Sequence, residues 1–289
     1  MKAPEVSFEF FPPQNLQASF RLWDTVQVLA PLDPRFVSVT YGAGGTTRDL
    51  TRDAVATLHK SSGLKVAAHL TCVNATKEET LEIADGFAKS GVTEIVALRG
   101  DPPKGEGRFT QYPGGFANSI ELIEALAATG RFKIRVGAYP DVHPEAASAQ
   151  ADIDWLKRKL DAGADEALTQ FFFESETFFR FRDACEKAGI DGSRITPGIL
   201  PIENWKGARN FARGCGTTIP QWVEDAFEKA TRDGREDLLA TAICTELSSE
   251  LIEGGVERLH FYTMNRPELT RDVCHALGVT PKVSLENVA

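Results

Sequence analysis

None of the five cysteines (Cys72, Cys185, Cys215, Cys244, Cys274) stands in a C-x-x-C pair, and their number is odd. This argues against a disulfide framework and a cysteine-ligated zinc site, and it fits a reducing compartment. The five histidines form no H-x-x-x-H or similar ligand set, so no metal is expected. No apolar run approaches the ~18 residues needed to span a membrane. The start, Met1-Lys2-Ala3-Pro4-Glu5, lacks the apolar core of a signal peptide. A cytoplasmic protein is the expectation. Basic residues are outnumbered and the formal net charge is −9, which disfavours nucleic acid as a partner, because phosphate contacts call for a basic face. No G-x-G-x-x-G follows a strand, and there is no phosphate-binding G-x-x-x-x-G-K-[ST], no G-x-S-x-G elbow and no paired Cys/His nucleophile.

What is present is alternation. Eight short β-rich runs, at 6–10, 36–41, 65–71, 94–99, 134–139, 167–173, 194–200 and 258–263, are separated by longer amphipathic stretches. Runs such as Ile95-Val96-Ala97-Leu98 are apolar throughout, as suits parallel strands covered on both faces. The helical stretches carry recognisable ends. Thr76 caps a helix with Glu79 as its capping-box partner, and Leu81, Ala84 and Ala88 form the expected inward stripe. Ser148 opens another, with Ile153, Leu156 and Leu160 inward and Gly163 as the stop. Strand–helix alternation repeated eight times predicts a single α/β domain over 1–289, a (β/α)8 TIM barrel, with a helical insertion at about 217–233. A doubly wound open sheet is the competing architecture. It calls for a glycine-rich first turn, and here that turn reads Phe11-Pro12-Pro13-Gln14.

In such a barrel the chemistry gathers at the C-terminal strand ends. The unusual polar residues fall there: Glu9, Thr40 and Tyr41, His69, Arg99-Gly100-Asp101, Tyr139 and His143, Gln170, His260 and Tyr262, and Asn265-Arg266. Glu9, between Phe8 and Phe10, is costly to desolvate, and a raised pKa suited to a general acid is expected. The competing reading pairs it with an Arg or Lys inside the barrel. His143 reads by itself as a hydrogen-bonded loop histidine. Lys157-Arg158-Lys159 reads first as a solvated helix face with Asp152 as partner, and otherwise as a contact for phosphates. Phe171-Phe172-Phe173 reads as barrel core.

Eight segments in order then resemble one family. They are Val6-Ser7-Phe8-Glu9-Phe10-Phe11-Pro12-Pro13, Ser38-Val39-Thr40-Tyr41-Gly42-Ala43-Gly44, His69-Leu70-Thr71-Cys72 and Leu98-Arg99-Gly100-Asp101-Pro102. They continue with Gly137-Ala138-Tyr139-Pro140 plus His143-Pro144-Glu145, Thr169-Gln170-Phe171-Phe172-Phe173, Pro197-Gly198-Ile199-Leu200-Pro201 and His260-Phe261-Tyr262-Thr263-Met264-Asn265-Arg266. Together they resemble the methylenetetrahydrofolate reductase family, bacterial type, catalytic barrel only. The resemblance implies non-covalent FAD, NADH or NADPH as co-substrate, and ping-pong reduction of 5,10-methylenetetrahydrofolate to 5-methyltetrahydrofolate in one-carbon and methionine metabolism. It also implies a homo-oligomer. Position by position, Glu9 matches the general acid that helps open the folate ring, and Asp101 the carboxylate between flavin and pterin. Gln170 and Arg266 match the folate contacts, and another is expected near 206–211. Thr40, His69, Arg99, Gly100, Asp101, Ala117, Tyr139, His143, Ala146, Asp152, Arg158 and Lys159 match the FAD contacts. A flavin-free barrel acting on another one-carbon folate, and a folate-binding barrel without turnover, are the alternatives.

Overall fold

The computed structural model describes residues 2–41, 48–102 and 109–281. The glycine run Gly42–Gly45 and residues 103–108 of the proline- and glycine-rich loop after Asp101 lie outside them. Among the described residues, β1 (Glu5–Phe10), β2 (Val37–Val39), β3 (Val66–Thr71), β4 (Glu94–Leu98), β5 (Lys133–Ala138), β6 (Glu166–Thr169), β7 (Ile195–Thr196), β8 (Gly198–Ile199) and β9 (Arg258–Tyr262) form one parallel sheet. Its order is β7-β6-β5-β4-β3-β2-β1-β9-β8. This is a nearly closed TIM-type barrel.

Nine strand segments stand where eight runs were expected, because Pro197 divides the seventh. Proline has no N–H to give to the ladder. β7 pairs with β6 and β8 with β9, so the broken strand joins the two edges. The Pro197 carbonyl still accepts from His260 N at 3.0 Å. Gly198 N donates to Thr169 Oγ1 at 2.9 Å. A Cβ at Gly198 would collide with the Thr169 carbonyl and the Tyr262 ring, so this closure requires glycine. Most strands also end sooner than their β-rich runs: β5 stops at Ala138 and β6 at Thr169, with Tyr139 and Gln170 just beyond them.

Ten helices among the described residues surround the sheet: α1 (Leu16–Leu29), α2 (Arg48–Ser62), α3 (Lys77–Lys89), α4 (Ser119–Ala128), α5 (Ala149–Asp161), α6 (Ser175–Lys187), α7 (Trp205–Cys215), α8 (Gln221–Asp233), α9 (Glu236–Glu253) and α10 (Pro267–Ala276). The expected caps form. Thr76 Oγ1 accepts from Glu79 N at 3.2 Å while Glu79 Oε2 accepts from Thr76 N at 2.8 Å. The buried stripe of α3 is Thr80, Ala84 and Phe87 rather than Leu81, Ala84 and Ala88. The bulky Phe87 draws the helix round toward the core. Ser148 caps α5, whose Ile153, Leu156 and Leu160 are buried as expected.

The N-terminal end of the barrel is closed by charge. Arg135, fully buried, donates to Glu166 Oε2 at 2.9 Å and Glu94 Oε2 at 2.5 Å, and lies 3.5 Å over the Phe36 ring. Arg35 and Thr196 also donate to Glu166 Oε1, at 2.9 and 2.6 Å. Burial pushes the Glu166 carboxyl upward, but these donors and the Arg135 charge outweigh it and hold it at about 2. Every member lies at or near the start of a strand. The charges at this end are structural, which leaves the opposite rim for chemistry.

Candidate active site

Glu9 is the penultimate residue of β1 and points to the barrel interior. Its side chain is 16% exposed. His69 Nε2, from β3, lies 3.2 Å from Glu9 Oε2, and His260 Nε2, from β9, lies 3.7 Å from the same oxygen. Ser38 of β2 donates to it at 3.4 Å. Burial alone would raise this carboxyl. The His69 charge and the contacts with both imidazoles outweigh burial and hold it at about 2. The sequence-based expectation of a raised pKa is therefore corrected: the acid is ionised at rest. Its partners are histidines, not the Arg or Lys that the pairing alternative supposed.

A second feature opens beside it. A cleft of about 380 Å³ lies at the C-terminal ends of β4 and β5 and against α5. Arg99, Gly100, Asp101, Tyr139, His143, Ala146, Asp152 and Lys159 all line it, eight of the twelve residues matched to the flavin. Lys159 is buried, and its Nζ donates to the Gly137 carbonyl at 2.5 Å. Burial lowers its pKa to about 8, with Asp152 opposing. Asp152 Oδ2 accepts from His143 N at 2.8 Å, and within the charge run its charge acts on Lys159. His143 Nδ1 accepts from Glu145 N at 3.0 Å, which leaves the ring proton on Nε2. Burial, and then Arg99, lower the His143 pKa. Arg99 is gripped by Glu145 through two hydrogen bonds of 2.6 and 3.0 Å. Tyr139 packs edge-on against His143 at 4.6 Å, and burial with Asp101 pushes its hydroxyl up to about 12.

The remaining matched residues lie elsewhere. Thr40 follows β2, with its N donating to the Phe10 carbonyl at 2.9 Å, close to the Glu9 end of β1. His69 belongs to the Glu9 cluster. Ala117 N donates to Glu121 Oε2 at 3.3 Å, just ahead of α4. Arg158 is exposed, stacked 4.7 Å over the Trp155 ring, and does not line the cleft. The charge run thus divides: Lys157 pairs with Asp161 at 3.5 Å on the surface, while Lys159 alone turns inward. Gln170 follows β6, its Oε1 accepting from Phe171 N at 3.0 Å. Arg266 faces Glu203 at 3.4 Å. Within 206–211, Phe211 is partly exposed and stacks on Phe171 at 5.3 Å. Phe171, Phe172 and Phe173 are all buried, as core.

Several residues have contacts here that the sequence did not assign to them. Ser119 and Trp155 line the cleft, and Glu145 braces Arg99. Asn265 clamps β1 to β9, donating to the Phe11 carbonyl and accepting from Phe11 N, both at 2.9 Å. It sits at φ 53°, next to Met264, also at φ 53°. Such backbone tends to persist where surrounding bonds fix it and function lies near. The period-2 pattern was a usable signal for Ser7, which shares the inward face with Glu9.

Fold and site together define a TIM-type barrel whose histidine-flanked carboxylate and cation-bearing cleft share the C-terminal rim. The family described as methylenetetrahydrofolate reductase matches residues 1–278. The 5,10-methylenetetrahydrofolate reductase of Pectobacterium carotovorum subsp. carotovorum is 44% identical over 280 residues, 96% of this chain and 92% of that protein. The protein of that name from Escherichia coli (strain K12) is 45% identical over 277 residues, 96% of this chain and 91% of its own. The chain belongs to the methylenetetrahydrofolate reductase family. A solved Clostridium thermocellum protein, described as binding two copies of 5-methyl-5,6,7,8-tetrahydrofolic acid, superposes with a TM-score of 0.58 at 14% identity, covering 96% of this chain and 95% of that one. At that identity the likeness is one of fold.

Proposed function

We propose that the chain reduces 5,10-methylenetetrahydrofolate to 5-methyltetrahydrofolate with NADH or NADPH, in a ping-pong cycle through non-covalent FAD. The whole of 1–289 acts as one catalytic domain, with α8 as an insertion. The observation that carries the reading is Glu9: a single carboxylate set between two histidines, on the same rim as a cleft lined by family-matched residues.

The residues present suit a flavin dinucleotide. Lys159 and Arg99 offer positive charge within the cleft, His143 offers Nε2–H, and Gly100 and Gly137 leave its wall without side chains. Thr71 Oγ1, at the end of β3, is buried without a hydrogen-bond partner, as suits a rim that a ligand completes. FAD, when bound, supplies two-electron chemistry between nicotinamide and folate. On this reading Lys159 neutralises phosphate charge, while Asp101 places negative charge between flavin and pterin. Thr40, His69, Ala117, Ala146, Asp152 and Arg158 supply further contacts.

Glu9 is then the acid for the folate. A resting pKa of about 2 leaves it without a proton. Burial is already the largest single influence on it. A pterin laid over the carboxylate removes its remaining water and drives it back toward the protonated form. Gln170 orients the pterin, Phe211 offers a ring face to it, and Arg266 meets the carboxylates of the glutamate tail.

The test is optical. The purified protein is expected to be yellow, to bleach when NADH is added without oxygen, and to regain its colour on addition of 5,10-methylenetetrahydrofolate. A colourless protein that takes up no FAD and oxidises no NAD(P)H overturns the reading in favour of a flavin-free folate barrel.

A further inference from the structure

The loop after β8 carries a carboxylate, Glu203, to which the matched positions assign no role. Pro201 and Ile202 are buried ahead of it, and Trp205, the first residue of α7, is buried behind it. Trp205 stacks on Phe227 at 4.6 Å and meets Phe173 edge-on at 6.3 Å. Glu203 N donates to the Pro201 carbonyl at 3.2 Å, and Asn204 Oδ1 caps α7 by accepting from Gly207 N at 2.7 Å. The backbone that bears Glu203 is therefore fixed on both sides. Arg266 is fixed as firmly. Its N donates to the Thr263 carbonyl at 2.8 Å, and the Thr263 hydroxyl donates to the Glu9 carbonyl at 2.7 Å. Two anchored segments thus bring Glu203 Oε2 to 3.4 Å from Arg266 Nη1.

The pair is unequal. The Arg266 side chain is 52% exposed and can reach a ligand, while the Glu203 side chain is only 21% exposed. Among the described residues, Glu203 Oε1 is buried without a hydrogen-bond partner, as is Trp205 Nε1 two residues on. One oxygen meets the arginine and the other meets no donor, which is costly for an ionised carboxylate. Burial is the largest influence on Glu203 and raises its pKa above the ordinary value. Arg266 opposes this, while Glu268 at the start of α10 and Asp237 at the start of α9 add to it.

We infer that Glu203 is a specificity-determining residue for the tail of the folate: it is the resting counter-ion of Arg266, it yields that arginine to a glutamate carboxylate of the ligand, and it takes up a proton as it does so. The inference rests on the folate reading of the rim and extends it to a residue outside the matched set.

Charge balance carries the step. At rest one guanidinium faces one carboxylate, with Glu268 and Asp237 acting from α10 and α9. A glutamate tail brings further carboxylates to the same guanidinium. Like charges crowded into a half-buried place cannot all stay ionised. Glu203, with its raised pKa and its unpartnered Oε1, is the group that gives way. A proton from solvent removes its repulsion, turns one oxygen into a donor and leaves Arg266 to the ligand. Binding of the tail therefore raises the pKa of Glu203. By linkage, affinity for the tail is greatest below the free pKa and falls as pH rises through the interval between the free and bound values. A ligand that lacks the glutamate makes no such demand.

Calorimetric titration of the flavin-loaded, full-length protein tests this, between about pH 5.5 and about pH 8.5. The two ligands are 5-methyltetrahydrofolate and 5-methyltetrahydropteroate, which lacks the glutamate. The ratio of their affinities cancels whatever titrates at the pterin end. That preference for the glutamate-bearing ligand is expected to fall as pH rises. Titrations in buffers of different ionisation enthalpy are expected to show proton uptake with 5-methyltetrahydrofolate beyond that with the pteroate. Glu203→Gln cannot ionise. It is expected to tighten 5-methyltetrahydrofolate by about 3- to 10-fold at the alkaline end, to remove the extra proton uptake, and to leave the pteroate unchanged. Glu203→Ala is expected to do the same, which separates charge from shape. In Arg266→Ala the preference for the glutamate-bearing ligand is expected to collapse, and adding Glu203→Gln to gain less than in the unaltered background. A pH-independent ratio, weaker binding of 5-methyltetrahydrofolate in Glu203→Gln, or an equal gain for both ligands overturns the inference. Protein that treats the two ligands as expected yet is never bleached by NADH overturns the reductase reading alone, and the role of Glu203 stands for a folate-binding barrel. Protein that binds neither ligand overturns both.

Discussion

Lys159 Nζ donates to the backbone carbonyl of Gly137 at 2.5 Å, beneath the cleft between β4, β5 and α5. The carbonyl is neutral, so the ammonium keeps its full charge for a ligand above it. Burial lowers its pKa to about 8. An anionic ligand favours the protonated form. If FAD binds here, its affinity is expected to be fully present below about pH 8 and to fall as pH rises through it, toward the higher pKa of the bound state. Lys159→Met is expected to weaken FAD binding at neutral pH by about 10- to 100-fold, as for loss of a charge-assisted bond. It should also flatten the pH dependence. Fluorescence titration of apoprotein with FAD between pH 6 and 10 measures both. A pH-independent affinity in the unaltered protein contradicts the assignment.

Glu166 has the opposite sign. Its folded pKa is held near 2, below the ordinary 4.5. The stability this contributes is present above about pH 4.5 and is lost as pH falls toward about 2. Glu166→Gln leaves Arg135 buried with only Glu94 as a charged partner, and is expected to cost about 3–5 kcal/mol. It should also remove part of the acid sensitivity. Urea unfolding at pH 7 and pH 4 measures the difference.

This bottom network and the Glu9 cluster show what the sequence made legible. Strand alternation, helix caps and the clustering of polar residues at strand ends are local patterns; they located the barrel and pointed to the rim where the cleft and the Glu9 cluster lie. Pairing between distant strands is not local. Nothing around Arg135 announces Glu94 and Glu166, and nothing around Glu9 announces His69 and His260. The sign of the Glu9 shift was misread for this reason: its phenylalanine neighbours are in the sequence, while its imidazole neighbours arrive only when β3 and β9 close around β1. Lys159 is a similar case. Helical periodicity places it beside Lys157 and Arg158 in a charge run, and only the packing of α5 against β5 turns it inward.

Arg266 is partly exposed and pairs with Glu203 at 3.4 Å. Burial raises the pKa of Glu203, with Arg266 acting against it. If Arg266 meets the glutamate tail, Arg266→Ala raises the KM for the folate by about 10- to 100-fold and leaves kcat within a few-fold. Steady-state kinetics with the monoglutamate substrate decide this. A fall in kcat at constant KM would place Arg266 at the reacting centre instead.

Gly198 sits where β8 crosses the Thr169 carbonyl and the Tyr262 ring. Gly198→Ala forces backbone apart at the point where the barrel closes, and is expected to cost at least about 1–3 kcal/mol. A lower melting temperature with altered near-UV circular dichroism from the Tyr262 region checks it.

The central claim is that Glu9 serves the folate and not the nicotinamide. Stopped-flow measurement of the two half-reactions in Glu9→Gln tests it most directly. Bleaching of the flavin by NADH is predicted to keep its rate within a few-fold. Reoxidation by 5,10-methylenetetrahydrofolate is predicted to slow by about 10²- to 10⁴-fold, the usual cost of losing a general acid. Equal slowing of both, or of neither, would contradict the account.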